Sequence, residues 1–329
     1  MKSPRLRRAA LWFLALPLAA QTAAPPFASP ASADDLYRLG RQLFDELAPP
    51  EVKAQFEFPT PAHWDAFATR LQSALEGGSL EELADLVPET RAALTALRVL
   101  PGYEDYADWL LQRLDELEGA QQAIAPVPRP PVPQPPIRPG APPPATAPRG
   151  GSAVQPVPHY DLWLARVRSR PLPARAAALM PRLRAAFVAE GVPPELAWLA
   201  EAESSLNPAA RSPVGAKGLF QFMPETAKAM GLDTFLPDER TDPEKSARAA
   251  ARYLRMLHGK FGNWALALAA YNAGEGRVRR TLTARGATTF TAIADSLPAE
   301  TRMYVPKVCA LIVTRAGVAP AQIAAPRRP

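Results

Sequence analysis

The chain has 329 residues, 47% of them hydrophobic, which is enough for two modest globular units. One cysteine, Cys309, and three scattered histidines, His63, His159 and His258, exclude an intrachain disulfide and argue against a zinc-type centre, which needs roughly three or four clustered ligands. The formal charge of +6 hides a polarised distribution, and the 40 prolines are also unevenly placed.

The first 33 residues read as an export signal. Lys2, Arg5, Arg7 and Arg8 precede an apolar core from Leu11 to Ala20, and Ala31-Ser32-Ala33 before Asp34 fits a small-x-small cleavage site. The apolar stretch is short for a membrane span. The distance from core to cleavage site leaves an uncleaved anchor as the alternative. Either way the body of the protein is expected outside the cytoplasm, in the periplasm or cell envelope. The lack of a cysteine near the N-terminus argues against a lipid-anchored start.

Residues 34–123 are expected to form a small helical domain. Leucines recur at helical spacing in Leu36, Leu39, Leu43 and Leu47, and again in Leu94, Leu97, Leu110, Leu114 and Leu117. The segment carries 18 acidic against 7 basic residues, and no constellation in it suggests chemistry. An accessory or interaction module with an unidentified protein partner is the expectation. Residues 124–158 carry proline at almost every second or third position. Such a run cannot pack a core and favours extended polyproline II, with a reach on the order of 100 Å. It serves as a spacer or as a simple tether.

Residues 159–317 read as helices with short connections, an all-α domain. Ala174 to Glu190 is apolar at helical spacing and stops at Gly191. Pro194 opens the next helix; Asp242-Pro243 is an N-cap followed by proline at the first helical position; Asn263 caps a shorter helix; and Pro298 opens a last long one ending at Gly317. The Ala-, Pro- and Arg-rich tail, 318–329, is expected to be disordered. Residues 124–329 hold 27 basic against 14 acidic residues, which suits an anionic partner. Nucleic acid is disfavoured by the export signal and by the absence of a recognition motif; an acidic wall polymer fits better.

Glu203 is the candidate for chemistry. On a helix from Pro194, it shares the apolar face of Leu196, Leu199, Ala200 and Leu206, while Glu201 points the other way. Desolvation and the helix C-terminus both favour its protonated form, as a general acid requires. From this helix alone, a structural glutamate paired to an arginine fits as well. Asn207-Pro208 is expected to break the helix. Gly215, Ala216 and Gly218 permit close approach of a sugar to main chain, and Ser212 is placed to hydrogen-bond Glu203. Gln221 and Met223 offer a polar contact and a soft surface. Ordinary glycosidases use two carboxylates; here only Glu203 has a strong claim, and one suffices if the substrate supplies the rest.

The run ESSLNPAARSPVGAKGLFQFMPETA from Glu203, AYNAGEGRV from Ala270 and ETRMYVPKV from Glu300 resemble, in order, the signature blocks of the soluble-lytic-transglycosylase-type (SLT) catalytic domain. The resemblance covers roughly residues 160–317. LAEAESSLNP and RTDPEKSARAAARYL are most similar to the membrane-bound D group, although no LysM-like repeat is present. The resemblance implies a goose-lysozyme-like helical fold. It also implies non-hydrolytic cleavage of the β-1,4 bond between N-acetylmuramic acid and N-acetylglucosamine, with a 1,6-anhydro product and no cofactor or metal. Carried over by position, Glu203 is the acid and then the base, and Ser212 orients it or the substrate's acetamide. Gln221, Met223, Tyr271 and Asn272 line the cleft, and Glu300 and Tyr304 belong to the last block, with Tyr304 expected to approach Glu203. Peptidoglycan glycan strands are the implied partner. A water-using muramidase of the same fold and a non-catalytic wall-binding protein are the alternatives.

Overall fold

A computed structural model describes residues 45–46, 50, 61–99, 104–125, 157–212 and 214–327. The expected signal, residues 1–33, lies outside the described residues, as does the proline-rich stretch 126–156.

The fold is all-α. Helices α1 (Pro61–Glu76), α2 (Leu80–Asp85), α3 (Val87–Val99) and α4 (Glu104–Ile124) come first. They are followed by α5 (Tyr160–Arg168), α6 (Ala176–Ala189), α7 (Leu199–Ser204), α8 (Pro224–Ala229), α9 (Pro243–Phe261), α10 (Trp264–Ala273), α11 (Glu275–Arg285), α12 (Phe290–Ile293) and α13 (Ala299–Ala316). Among the described residues there is no strand, only isolated bridges of Lys217 with Arg211 and Phe222. No helix of the described residues is long and apolar enough to cross a membrane.

Local signals set the boundaries. Asp242 accepts from the amides of Glu244 and Lys245 and so starts α9, which Gly262 ends in the left-handed conformation. Asn263 accepts from Leu266 to start α10, and Gly317 closes α13. The segment opened by Pro194 departs from a single helix. Pro194–Trp198 is a 3-10 turn, and α7 proper runs only from Leu199 to Ser204. It ends before Asn207-Pro208, because Ser205 and Leu206 both take positive φ. The Leu206 amide folds back onto the Ala200 carbonyl.

Helix α13 is the axis of the molecule. Every residue from Met303 to Ile312 is buried, as is typical of a helix covered on all sides. It packs on α5, α7 and α10, and also on α1 and α4. The first amide of α13, at Ala299, has no partner within the helix; it donates to the Gly77 carbonyl at 2.6 Å. Arg302 donates to the Gly78 carbonyl. Helix α4 comes so close to α5 that a Cβ added at Gly119 would lie 2.7 Å from the Trp163 ring. Beneath that contact, Lys307 pairs with Asp115 and Glu116, and Arg166 and Arg170 pair with Asp115. One continuous buried cluster runs from Leu71 to Ile323.

The C-terminal tail corrects an expectation. Residues 318–327 do not trail free. Ile323 is buried, the Ala324 carbonyl accepts from the Trp264 indole at 2.9 Å, and the Arg327 amide donates to Gly191. Apolar Ile323 and two backbone hydrogen bonds, at Ala324 and Arg327, supply what the Ala-Pro-Arg composition conceals.

Candidate active site

Glu203 sits in the last turn of α7, partly exposed as a residue but with its carboxyl surrounded by protein. The Tyr304 hydroxyl, from the second turn of α13, donates to Glu203 Oε1. Desolvation pushes the Glu203 carboxyl up to about 7, and the nearby Glu116 and Glu300 add to the effect. The Tyr304 hydrogen bond and the Arg113 charge act against it without cancelling it. Tyr304 and Tyr271 are both held protonated well above the usual phenol range, by burial and by the negative charge that Glu203 would carry. The site therefore presents one carboxyl able to give and take a proton near neutrality, facing two neutral phenols.

The neighbouring turn is rigidly held. Ser204, adjacent to Glu203, donates its hydroxyl to the Ala200 and Leu219 carbonyls, pinning α7 to the loop 207–223. Tyr271 reaches across from α10, and its hydroxyl donates to the Phe220 carbonyl at 2.8 Å. Its ring packs against Tyr253 and Phe222, with centroids at 5.3 and 6.3 Å. Asn272 donates to Glu300 Oε1 at 3.1 Å and accepts from the Thr301 hydroxyl at 2.6 Å. Arg113 closes the chain of contacts from α4, with Nη1 2.5 Å from Glu300 and 2.8 Å from Glu116.

Several side chains are placed differently from the sequence expectation. Ser212 accepts from the Ala216 amide at 2.9 Å and holds its own loop; no hydrogen bond joins it to Glu203. Gly218 allows a close backbone approach, but the approaching chain is the protein's own. A Cβ there would lie 1.8 Å from the Arg240 carbonyl, at φ +79°. Gln221 sits at φ +46° and donates to the Gly218 and Ala210 carbonyls, and Met223 is 42% exposed. Glu201 does face away from Glu203, but not into solvent: it forms a two-point, buried pair with Arg315 at 2.8 and 3.0 Å. The structural glutamate of this helix is thus Glu201.

Sequence reasoning missed Arg113, Glu116, Thr301 and the Asp238–Arg240 clasp. Arg240 is buried, grips Asp238, and donates to the Gly215 and Phe222 carbonyls, bracing the loop below the site. One signal was available for Arg113: it is the only basic residue in the 21 residues of α4.

Residues 184–293 match the family model described as the transglycosylase SLT domain. The chain is 41% identical over 126 residues to membrane-bound lytic murein transglycosylase D of Escherichia coli (strain K12), covering 36% of this chain and 27% of that protein. It is 42% identical over 120 residues to the soluble lytic murein transglycosylase of Salmonella typhimurium (strain LT2), covering 34% and 19%. The matched stretch thus spans about a quarter or less of these relatives. A crystal structure of the 70 kDa soluble lytic transglycosylase of Escherichia coli aligns over 93% of this chain and 66% of that one, at 20% identity and a TM-score of 0.40. The sequence matches thus place the similarity to lytic murein transglycosylases in a segment, residues 184–293, that matches the transglycosylase SLT domain.

Proposed function

We propose that the protein is a peptidoglycan lytic transglycosylase of the cell envelope. It cleaves the β-1,4 bond between N-acetylmuramic acid and N-acetylglucosamine and leaves a 1,6-anhydro-N-acetylmuramic acid end. The observation that carries this reading is the single carboxyl of Glu203, raised to about 7 and oriented by Tyr304. The names of the relatives, lytic murein transglycosylases, support the substrate.

In this mechanism Glu203 enters protonated and gives its proton to the leaving glycosidic oxygen as the bond to C1 breaks. The muramyl N-acetyl group stabilises the developing positive charge at C1. Glu203, now a carboxylate, accepts the proton of the sugar's own C6 hydroxyl as that oxygen bonds to C1. The proton count is restored and no water is consumed. The other carboxylates near it are tied up, Glu300 by Arg113 and Asn272 and Glu116 by Arg113 and Lys307, which suits structural roles better than that of a free base or nucleophile. Tyr304 holds the Glu203 carboxyl, and Tyr271 is a wall of the cleft. Ser212, Gln221 and Met223 act through the conformation and surface of the loop 207–223, and Asn272 acts through Glu300. No metal or cofactor takes part in these steps. Export by residues 1–33 would bring the enzyme to the wall in the periplasm.

Mass spectrometry of fragments released from purified peptidoglycan tests the reading. Muropeptides lighter by one water than hydrolysis products are expected. Ordinary reducing ends would make the protein a muramidase, and retained binding without release would make it a wall-binding protein.

A further inference from the structure

Helix α4 lies outside the matched SLT segment, yet it delivers a charged side chain into the site. Two groups of its charged contacts differ in what they reach. The first is a latch: Asp115 with Lys307, Arg166 and Arg170 beneath the Trp163 ring. The second is Arg113, two residues before Asp115 and so on a different side of the helix, whose guanidinium bridges Glu116 and Glu300. Buried Leu110, Leu114 and Leu117 also hold α4 to the core. Arg113 contributes something else, because its acceptor Glu300 Oε1 is the same oxygen that accepts from Asn272.

We propose that Arg113 is a positioning residue of the catalytic site, holding the Glu300 carboxylate against Asn272 and setting a permanent positive charge beside Glu203. Helices α1 to α4 are on this view part of the working enzyme. Residues 77–78 support the same conclusion by capping the start of α13, the helix that carries Glu300 and Tyr304. The groups facing Glu203 are Tyr304 and Glu300 from α13, Tyr271 from α10, and Arg113 and Glu116 from α4. Arg113 is the only cation among them. Without it, Lys307 still pairs with Glu116, but the repulsion of a Glu203 carboxylate by Glu300 and Glu116 is less opposed, so the protonated form persists to higher pH.

The inference rests on Glu203 acting as acid and then base, and its test has one arm that needs no activity. Carboxyl NMR titration of Glu-labelled full-length protein reads Glu203 directly, its resonance identified by loss in Glu203→Gln. In Arg113→Gln the midpoint is expected to move up by about half a pH unit or more. The alkaline limb of kcat on peptidoglycan should move with it, and Arg113→Lys should restore both. Asp115→Asn, which weakens only the latch, should lower the melting temperature without moving the midpoint. If Arg113→Gln does not fold, the replacement is made in a Glu116→Gln background, where the midpoint should lie above that of Glu116→Gln alone. An unmoved midpoint in the folded variant overturns the proposal. A moved midpoint in a protein that releases no anhydro fragments upholds the role of Arg113 and refutes the proposed function instead.

Discussion

Replacing Glu203 by glutamine should stabilise the protein at alkaline pH, and the size of the effect follows from the site. The folded carboxyl holds its proton up to about 7, against 4.5 for an ordinary glutamate. Between those values the folded state binds a proton that the unfolded chain has released, so stability falls as pH rises. The favourable contribution is intact below the unfolded value and is lost on passing through the folded one. At about 1.4 kcal/mol per pH unit, the loss amounts to roughly 3 kcal/mol. Glutamine keeps the shape and an acceptor for Tyr304 but has nothing to ionise. Urea denaturation of both proteins from pH 4 to pH 8.5 measures the difference. The variant should match the wild type at the acidic end and exceed it by roughly 3 kcal/mol at the alkaline end. That is a midpoint gain of about 1 M for a slope of roughly 3 kcal/mol per molar. A difference that stays constant across the range would show that Glu203 is ionised like a surface carboxylate. It would remove the general acid from the mechanism.

Other expectations test the supports of the site. Tyr304→Phe removes the hydrogen bond that favours the Glu203 carboxylate, so the alkaline limb of turnover should shift to higher pH; the rate should fall because the carboxyl is no longer oriented. Arg315→Leu leaves Glu201 charged and buried and should cost about 3–5 kcal/mol in denaturant melts. The double replacement Arg315→Leu with Glu201→Leu should recover much of that loss. Gly218→Ala drives a methyl into the Arg240 carbonyl at a positive φ and should destabilise by more than about 3 kcal/mol, seen as a lower melting temperature. Gly119→Ala pushes α4 from the Trp163 ring and should cost about 1–3 kcal/mol by the same assay.

Much of the architecture was legible because helix boundaries are local. Asp242-Pro243, Asn263, Gly262 and Gly317 act on amides and carbonyls within four residues of themselves, and the structure starts helices at the first two and ends them at the glycines. The same local reasoning failed at residues 205–206. There the helix stops on two positive φ values rather than at Asn207-Pro208, because Ser204 is tied to Leu219, fifteen residues away. It failed again in the tail, where one buried isoleucine outweighs a disorder-prone composition.

By itself the sequence determined the all-α class, the position of Glu203 on an apolar helix face, and the order of the blocks that mark the SLT domain. Only the tertiary structure decided who meets whom. Arg113 reaches Glu300 across 187 residues. Ser212 turns to its own loop, and it is Glu201 that forms the buried ion pair with Arg315. The reason is physical. Caps and periodicity are fixed by neighbours along the chain, whereas a side chain's partner, and with it the proton affinity of a buried carboxyl, depends on where two helices cross. That crossing is set by the packing of the whole core around α13.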